Sequence, residues 1–117
     1  MQVQAITRNI GMSAQKMREM VRQIQGLPAA QAEAVLAVVP RKSARAVAKT
    51  LHSAIANAED LKLHKEEYKN LNTGKLWIKS AVAGTATTLK RFTPKARGSA
   101  GPILKRTCHI KIVLSDE

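Results

Sequence analysis

Ala83-Gly84-Thr85-Ala86-Thr87-Thr88-Leu89-Lys90-Arg91-Phe92-Thr93-Pro94-Lys95-Ala96-Arg97-Gly98-Ser99-Ala100-Gly101-Pro102 is the stretch that decides how this chain folds. Leu89 and Phe92 are its only large apolar residues; Thr, Ala and Gly fill most of the rest, around Lys90-Arg91 and Lys95-Ala96-Arg97. So little apolar surface cannot fold back onto a core. Strand patterns flank the stretch on both sides, so it predicts a long two-stranded ribbon at about residues 83–102, with Pro94 and Gly98 suited to its tip. About ten residues per arm at roughly 3.3 Å each carry that tip on the order of 30 Å outward. Such a ribbon is marginal by itself in water, so it is expected to be mobile in the isolated protein and ordered by a polyanion. The bland alternative is a solvated charged loop, but loops of this length without structure of their own are uncommon in a compact domain.

Charge points the same way. From Tyr68 to Ser115 there is no Asp or Glu, while Lys69, Lys75, Lys79, Lys90, Arg91, Lys95, Arg97, Lys105, Arg106 and Lys111 supply ten cations. The whole chain carries 20 Lys plus Arg against 8 Asp plus Glu, a formal net charge of +12. A run of one sign repels itself and is stabilised by a polyanion, most readily nucleic acid. An anionic membrane surface is the second option, but membrane-surface helices rely on bulky apolar side chains, and aromatics here amount to 3%. No apolar run reaches the roughly 18 residues of a transmembrane helix, and Met1 to Ile10 lacks the apolar stretch of a signal peptide. The expected location is the cytoplasm, and the single Cys108 agrees with a reducing compartment.

Working outward, 117 residues favour one domain, residues 1–117, without internal repeats. Gln2 to Arg8 predicts a strand. Ser13 as N-cap and Gly26 as the residue past the end bracket a helix from about Ala14 to Gln25, with Met17, Met20, Val21 and Ile24 facing the core. Pro28 opens a short helix over Ala29 to Val38 that Pro40 stops. The clearest helix runs from about Arg41 to Glu59, with Ala44, Val47, Ala48, Leu51, Ile55 and Ala58 on one face. Its many alanines allow close approach, which places it at the centre of the packing. Asp60 to Asn72 reads as a polar, exposed connection; Lys75 to Val82 and Cys108 to Leu114 read as strands. The predicted fold is α+β: three helices packed on a small three-stranded antiparallel sheet, with a long protruding β-hairpin.

The helices carry cations in stripes, Arg18 with Arg22, and Arg41, Arg45 and Lys49. Neither stripe is laced with acids at the stabilising spacing, although an ordinary solvated face explains any one of these residues as well. Arg41 and Lys42 fall in a helix's first turn, where the macrodipole disfavours cations and so hints at an anion nearby. Catalytic groupings are missing. His52, His64 and His109 lack metal-ligand spacing, Glu66 and Glu67 lie in a polar connection, and there is no Gly-rich phosphate loop. Cys108 has only His109 beside it, and neighbours on a strand point to opposite faces. No cofactor, metal ion or small-molecule substrate is expected. Three aromatic residues are too few for a base-stacking sheet, so recognition should be of folded RNA shape and backbone.

Three segments resemble one family in the same order. They are Ser13-Ala14-Gln15-Lys16-Met17-Arg18, Ser53-Ala54-Ile55-Ala56-Asn57-Ala58-Glu59, and Lys90 to Gly98 followed by Ile103-Leu104-Lys105-Arg106-Thr107-Cys108-His109-Ile110. The family is the bacterial-type large-subunit ribosomal protein L-twenty-two (universal name uL-twenty-two). The resemblance implies a non-catalytic protein that binds large-subunit (23S-type) rRNA and supports early subunit assembly. Its hairpin would line the nascent-peptide exit tunnel beside the passing polypeptide, among other large-subunit ribosomal proteins. Carried onto this chain, the rRNA-binding set is Arg8, Lys16, Arg18, Arg22, Arg41, Lys42, Arg45, Lys90, Arg91, Lys95, Arg97, Lys105, Arg106 and His109. The tunnel-lining tip is Thr93, Pro94, Lys95, Ala96, Arg97, Gly98, Ser99 and Ala100. Rival readings are a free-standing nucleic-acid architectural protein and an enzyme acting on nucleic acid. The second requires carboxylates or a metal site in a half of the chain that has no acid.

Overall fold

A computed structural model describes all 117 residues, Met1–Glu117. The elements in chain order are β1 (Gln2–Ile10), α1 (Ala14–Ile24), α2 (Ala29–Val38), α3 (Lys42–His64), β2 (Trp77–Thr85), β3 (Leu89–Pro94), β4 (Ala100–Lys105) and β5 (Cys108–Ser115). Short 3₁₀ turns at Glu66–Tyr68, Thr73–Lys75 and Ala96–Gly98 complete the chain. The α+β fold with three helices, a three-stranded antiparallel sheet and a hairpin is the one the sequence predicts.

In α1, Met17, Met20, Val21 and Ile24 are all buried, as their spacing requires. Ser13 stands at the N-cap with extended backbone, yet its hydroxyl makes no capping bond. Gly26 follows the helix at φ +85, a conformation that its missing β-carbon permits. The turn it makes lays residues 26–29 along the outer edge of β2. The Gly26 N–H donates to the Ile78 carbonyl at 2.9 Å, the Ile78 N–H to Leu27 O at 2.9 Å and the Ala29 N–H to Leu76 O at 3.0 Å. Farther along the same edge, Arg18 Nε donates to the Ala83 carbonyl at 3.0 Å. An edge strand is thereby kept from pairing with other chains.

α3 touches α1, α2, β1 and β5, which puts it at the centre of the packing as expected. Its limits and its face differ from the sequence reading. It starts one residue later, with Arg41 at the N-cap, and continues five residues past Glu59 to His64. Asp60-Leu61-Lys62-Leu63-His64 contains no Gly or Pro and is rich in good helix formers, so nothing stops the helix there. The remaining connection is not wholly exposed either, because Leu71 is buried. Ala44, Val47, Leu51 and Ala58 are buried, but Ala48 and Ile55 are only half so; Ser43, Thr50 and Ala54 take their place. Thr50 tolerates complete burial because its hydroxyl is satisfied. It donates to the Ala46 carbonyl at 2.9 Å, leaving its oxygen to accept from the Thr7 hydroxyl at 2.7 Å.

The main sheet has the order β1-β5-β2, all antiparallel. β5 is central, and its alternation sends Cys108, Ile110, Ile112 and Leu114 inward, where all four are buried. Val3 and Ala5 of β1 and Ile78, Ala81 and Ala83 of β2 join them under α1 and α3. Each large aliphatic side chain so buried contributes roughly 1.5–3 kcal/mol.

β2 and β5 then run out of the body and become the ribbon. β3 and β4 form a separate two-stranded sheet, paired from Leu89↔Lys105 to Pro94↔Ala100. The paired arms are displaced from the expected stretch. Ala83 to Thr85 still belong to the main sheet, opposite Ile110 to Cys108, and the far arm reaches Lys105 rather than Pro102. At the root, the Ala86 N–H donates to Thr107 O at 3.1 Å and Thr107 Oγ1 donates to Thr87 O at 2.7 Å. The result is a molecule 67 Å long but only 29 by 16 Å across. No helix is long and apolar enough to cross a membrane.

Candidate nucleic-acid interface

The strongest convergence of predicted residues lies where the ribbon leaves the body. Lys16 comes from the first turn of α1, Lys42 from the start of α3, and Lys105 and Arg106 from the end of β4. All four line one open cleft of about 690 Å³, with Gly11, Met12, Ser13, Leu89, Leu104 and Thr107 completing the wall. No carboxylate is among these residues. Four cations brought together from three parts of the chain make this cleft positive, while Glu19 borders Lys16 and Lys42 only on the neighbouring side, where Arg41 also stands. The N-terminus of α1 opens on the same cleft and adds its partial positive charge.

Along the ribbon, Lys90 and Arg91 are exposed. Arg91 Nη1 donates to the Lys90 carbonyl at 2.9 Å, which steers the guanidinium across its own arm. Leu89, Phe92, Ile103 and Leu104 are exposed as well, Phe92 at 75%. The ribbon thus has no core of its own, in keeping with its sequence.

The tip is a tight, hydrogen-bonded turn. The Lys95 N–H donates to Ser99 O at 2.6 Å, and Ser99 Oγ donates to Ala96 O at 2.9 Å. Arg97 and Gly98 both have positive φ, +60 and +73. Glycine takes this conformation freely, whereas Arg97 pays about 1 kcal/mol for it. Thr93 is half-buried; Pro94, Lys95, Ala96, Arg97, Gly98, Ser99 and Ala100 are exposed.

The other predicted residues scatter, and some have partners within the protein. Arg41 does not lie in a helical turn awaiting an anion; its Nη1 meets Glu19 Oε2 of α1 at 3.0 Å. Sequence spacing hid this pair because the two residues are on different helices. Arg18 spends its Nε on the edge of β2. Arg22 lies in the last turn of α1, where a cation suits the macrodipole, and Arg45 is exposed on α3. Arg8 and His109 stand apart from the root cleft, on the outer face of the main sheet. His109 Nδ1 accepts from the Asn9 N–H at 3.1 Å, and Asn9 adopts φ +56 in a bulged end of β1 to reach it. Cys108 faces inward beside it, and burial pushes its thiol up, away from the reactive thiolate. Lys111 was absent from the predicted set. The alternation of Cys108-His109-Ile110-Lys111-Ile112 carried the signal, since it puts Lys111 and His109 on one side and the apolar residues on the other.

Comparison with known proteins adds a second line. The family model described as ribosomal protein L22p/L17e matches residues 5–115. The large ribosomal subunit protein uL22 of Opitutus terrae is 51% identical over 116 residues, covering 99% of this chain and 96% of that protein. The corresponding proteins of Akkermansia muciniphila and Chloroflexus aggregans are 40% and 42% identical over 117 residues, each covering all of this chain and 98% and 97% of their own.

Proposed function

Because the chain belongs to the ribosomal protein L22p/L17e family, whose members are structural constituents of the large subunit of the cytoplasmic ribosome and not enzymes, we propose that it holds large-subunit rRNA together and carries its ribbon into the particle. The root cleft grips phosphates where the ribbon begins, and the exposed cations of both arms meet further rRNA segments along its length. Neutralising those phosphates releases counterions and supports early assembly of the subunit. At the far end, Thr93 to Ala100 lines the nascent-peptide exit tunnel, with Lys95 and Arg97 beside the passing polypeptide. Neighbouring large-subunit proteins complete the wall.

One observation carries this reading. A ribbon with exposed apolar and cationic side chains, and with no acid of its own, projects from a body that gives it no cover. Such an element is completed by a polyanion packed around it. The experiment is twofold. In sucrose gradients the protein is expected to travel with the large subunit and not with free nucleic acid. Binding of the full chain to deproteinised large-subunit rRNA is expected to weaken steeply with salt, and a flat dependence refutes the mechanism.

A further inference from the structure

The main sheet has two edges, and the fold closes only one. Gly26, Leu27, Ala29 and Arg18 cover the edge of β2. β1 forms the other edge, because the strand order is β1-β5-β2 and no strand pairs beyond it. Its antiparallel ladder with β5 is regular from Gln2↔Ser115 to Thr7↔Ile110. At roughly 3.3 Å per residue this edge is about 20 Å long. Gln2-Val3-Gln4-Ala5-Ile6-Thr7 contains no charge and no proline, two of the devices that blunt an exposed edge.

One bond fixes the direction of the unpaired groups. Asn57 Nδ2 of α3 donates to the Gln4 carbonyl at 3.1 Å, so that carbonyl points away from β5. The N–H of the same residue points the same way, and so do the backbone groups of Gln2 and Ile6, two positions to either side. Outside the ladder, none of these three N–H groups has a backbone partner. A groove of about 390 Å³ runs beside the edge. Gln2, Val3 and Gln4 form one wall; Asn57, Asp60 and Leu61 of α3, with Tyr68, form the other. Leu61 and Tyr68 are half-buried and offer it apolar surface. Asp60 is the only charged residue lining the groove, in a chain with 20 Lys plus Arg.

We propose that an extended segment of another protein adds to β1 as a fourth strand and lies in this groove. Its backbone exchanges hydrogen bonds with Gln2, Gln4 and Ile6, and its alternate side chains enter the groove, an apolar one against Leu61 and Tyr68 and a Lys or Arg beside Asp60. RNA suits the groove badly. The root cleft brings four cations to phosphates, whereas here no cation stands in the wall and a carboxylate repels them. A second copy of this chain is disfavoured by the repulsion between two bodies of net charge +12. The inference rests on the reading that the chain works within the large subunit. To that reading it adds a protein contact on the body, at the pole away from the ribbon, where Gln2 and Trp77 flank Ser115.

The test assembles the full-length chain into large subunits with a benzophenone photocrosslinker in place of Gln2. Crosslinks are mapped in protein by mass spectrometry and in rRNA by primer extension. Two variants accompany it. Gln4→Pro removes an outward N–H while sparing the β5 ladder, so its melting temperature is expected near the wild-type value. Asp60→Lys reverses the charge of the groove, close to a helix C-terminus where a cation is welcome. The expected result is crosslinking to one short segment of one other protein, with a yield that each variant lowers about tenfold while still sedimenting with the large subunit. Crosslinks into rRNA, crosslinks scattered over several proteins, no crosslink at all, or a yield that either variant leaves unchanged overturn the proposal. Should Gln4→Pro melt well below wild type, Asp60→Lys decides alone. A wild-type chain that does not sediment with the large subunit removes the subunit reading, and this inference with it.

Discussion

The side chain of Lys95 lies against Gly101, across the mouth of the ribbon's tip, so closely that a β-carbon at Gly101 would stand 2.6 Å from Lys95 Cε and 2.9 Å from Cγ. Glycine at this position therefore sets the path of a lysine six residues earlier. Gly101→Ala is expected to push the lysine stem off the tip and redirect its ammonium. Because a flexible exposed side chain does the moving, stability should change by no more than about 0.5 kcal/mol. Binding to rRNA should fall nonetheless, and Lys95→Ala should fall equally and show no further loss when combined with Gly101→Ala. Additive losses in that double-mutant comparison refute the coupling.

Arg97 tests the electrostatic mechanism at the tip. Arg97→Ala removes one cation and is expected to lower the slope of log affinity against log salt by about one. Titrations of wild type and variant across several salt concentrations measure it.

The exposed and the buried apolar residues should answer very differently to truncation. Ile110 is completely buried on the central strand, so Ile110→Ala is expected to cost about 2–5 kcal/mol in urea unfolding. Phe92→Ala, on the ribbon, should change unfolding by no more than about 0.5 kcal/mol. A large loss for Phe92→Ala means that the ribbon folds against the body in solution.

Hydrogen exchange probes the ribbon directly. In the isolated protein, amides from Leu89 to Lys105 are expected to exchange much faster than those of β5, and to become protected once rRNA is bound. Strong protection without RNA overturns the view that the ribbon takes its order from its surroundings.

Acid sensitivity should be concentrated at the pole opposite the ribbon. The Asn72 N–H donates to Asp116 Oδ2 at 3.1 Å and the Met1 ammonium to Oδ1 at 3.0 Å. Both bonds, that of Asn72 foremost, hold this carboxyl below its ordinary range. A lowered folded-state pKa means stability present above the unfolded value, near ~3.9, and lost as pH falls through the folded one. Asp116→Asn should flatten the fall in stability as pH drops below about 4, measured by urea midpoints. An unchanged pH profile removes this carboxylate from the account.

Much of this fold can be read from periodicity and punctuation. Met17, Met20, Val21 and Ile24 announce the buried face of α1, and Gly26, Pro28 and Pro40 mark real boundaries. The end of α3 was hidden because Asp60 to His64 mixes charged residues with Leu61 and Leu63 and contains no helix breaker to mark a boundary. Thr50 was hidden because its burial depends on Thr7 and Ala46, which only the folded chain brings to it. The cations of the interface could be enumerated from the chain, but their grouping could not. Lys16 and Lys105 meet across 89 positions, and Arg41 is answered by Glu19, only once helices and ribbon root are packed. Lys111 and Gly84 needed the register of three strands before they shared a groove.

The continuity of β2 and β5 with the ribbon has a mechanical consequence. A pull on the tip hauls both strands in the same direction, so it does not unzip them from each other. It drags them as a pair past β1 and the two covering helices, and must shear the β1–β5 ladder while Ile78, Ile110, Ile112 and Leu114 are wrenched from their seats together. Many weak attachments loaded in parallel yield at higher force than the same attachments loaded one after another. The finger is therefore anchored as a tang is anchored in a handle, and a pull along its length is resisted by the whole body at once.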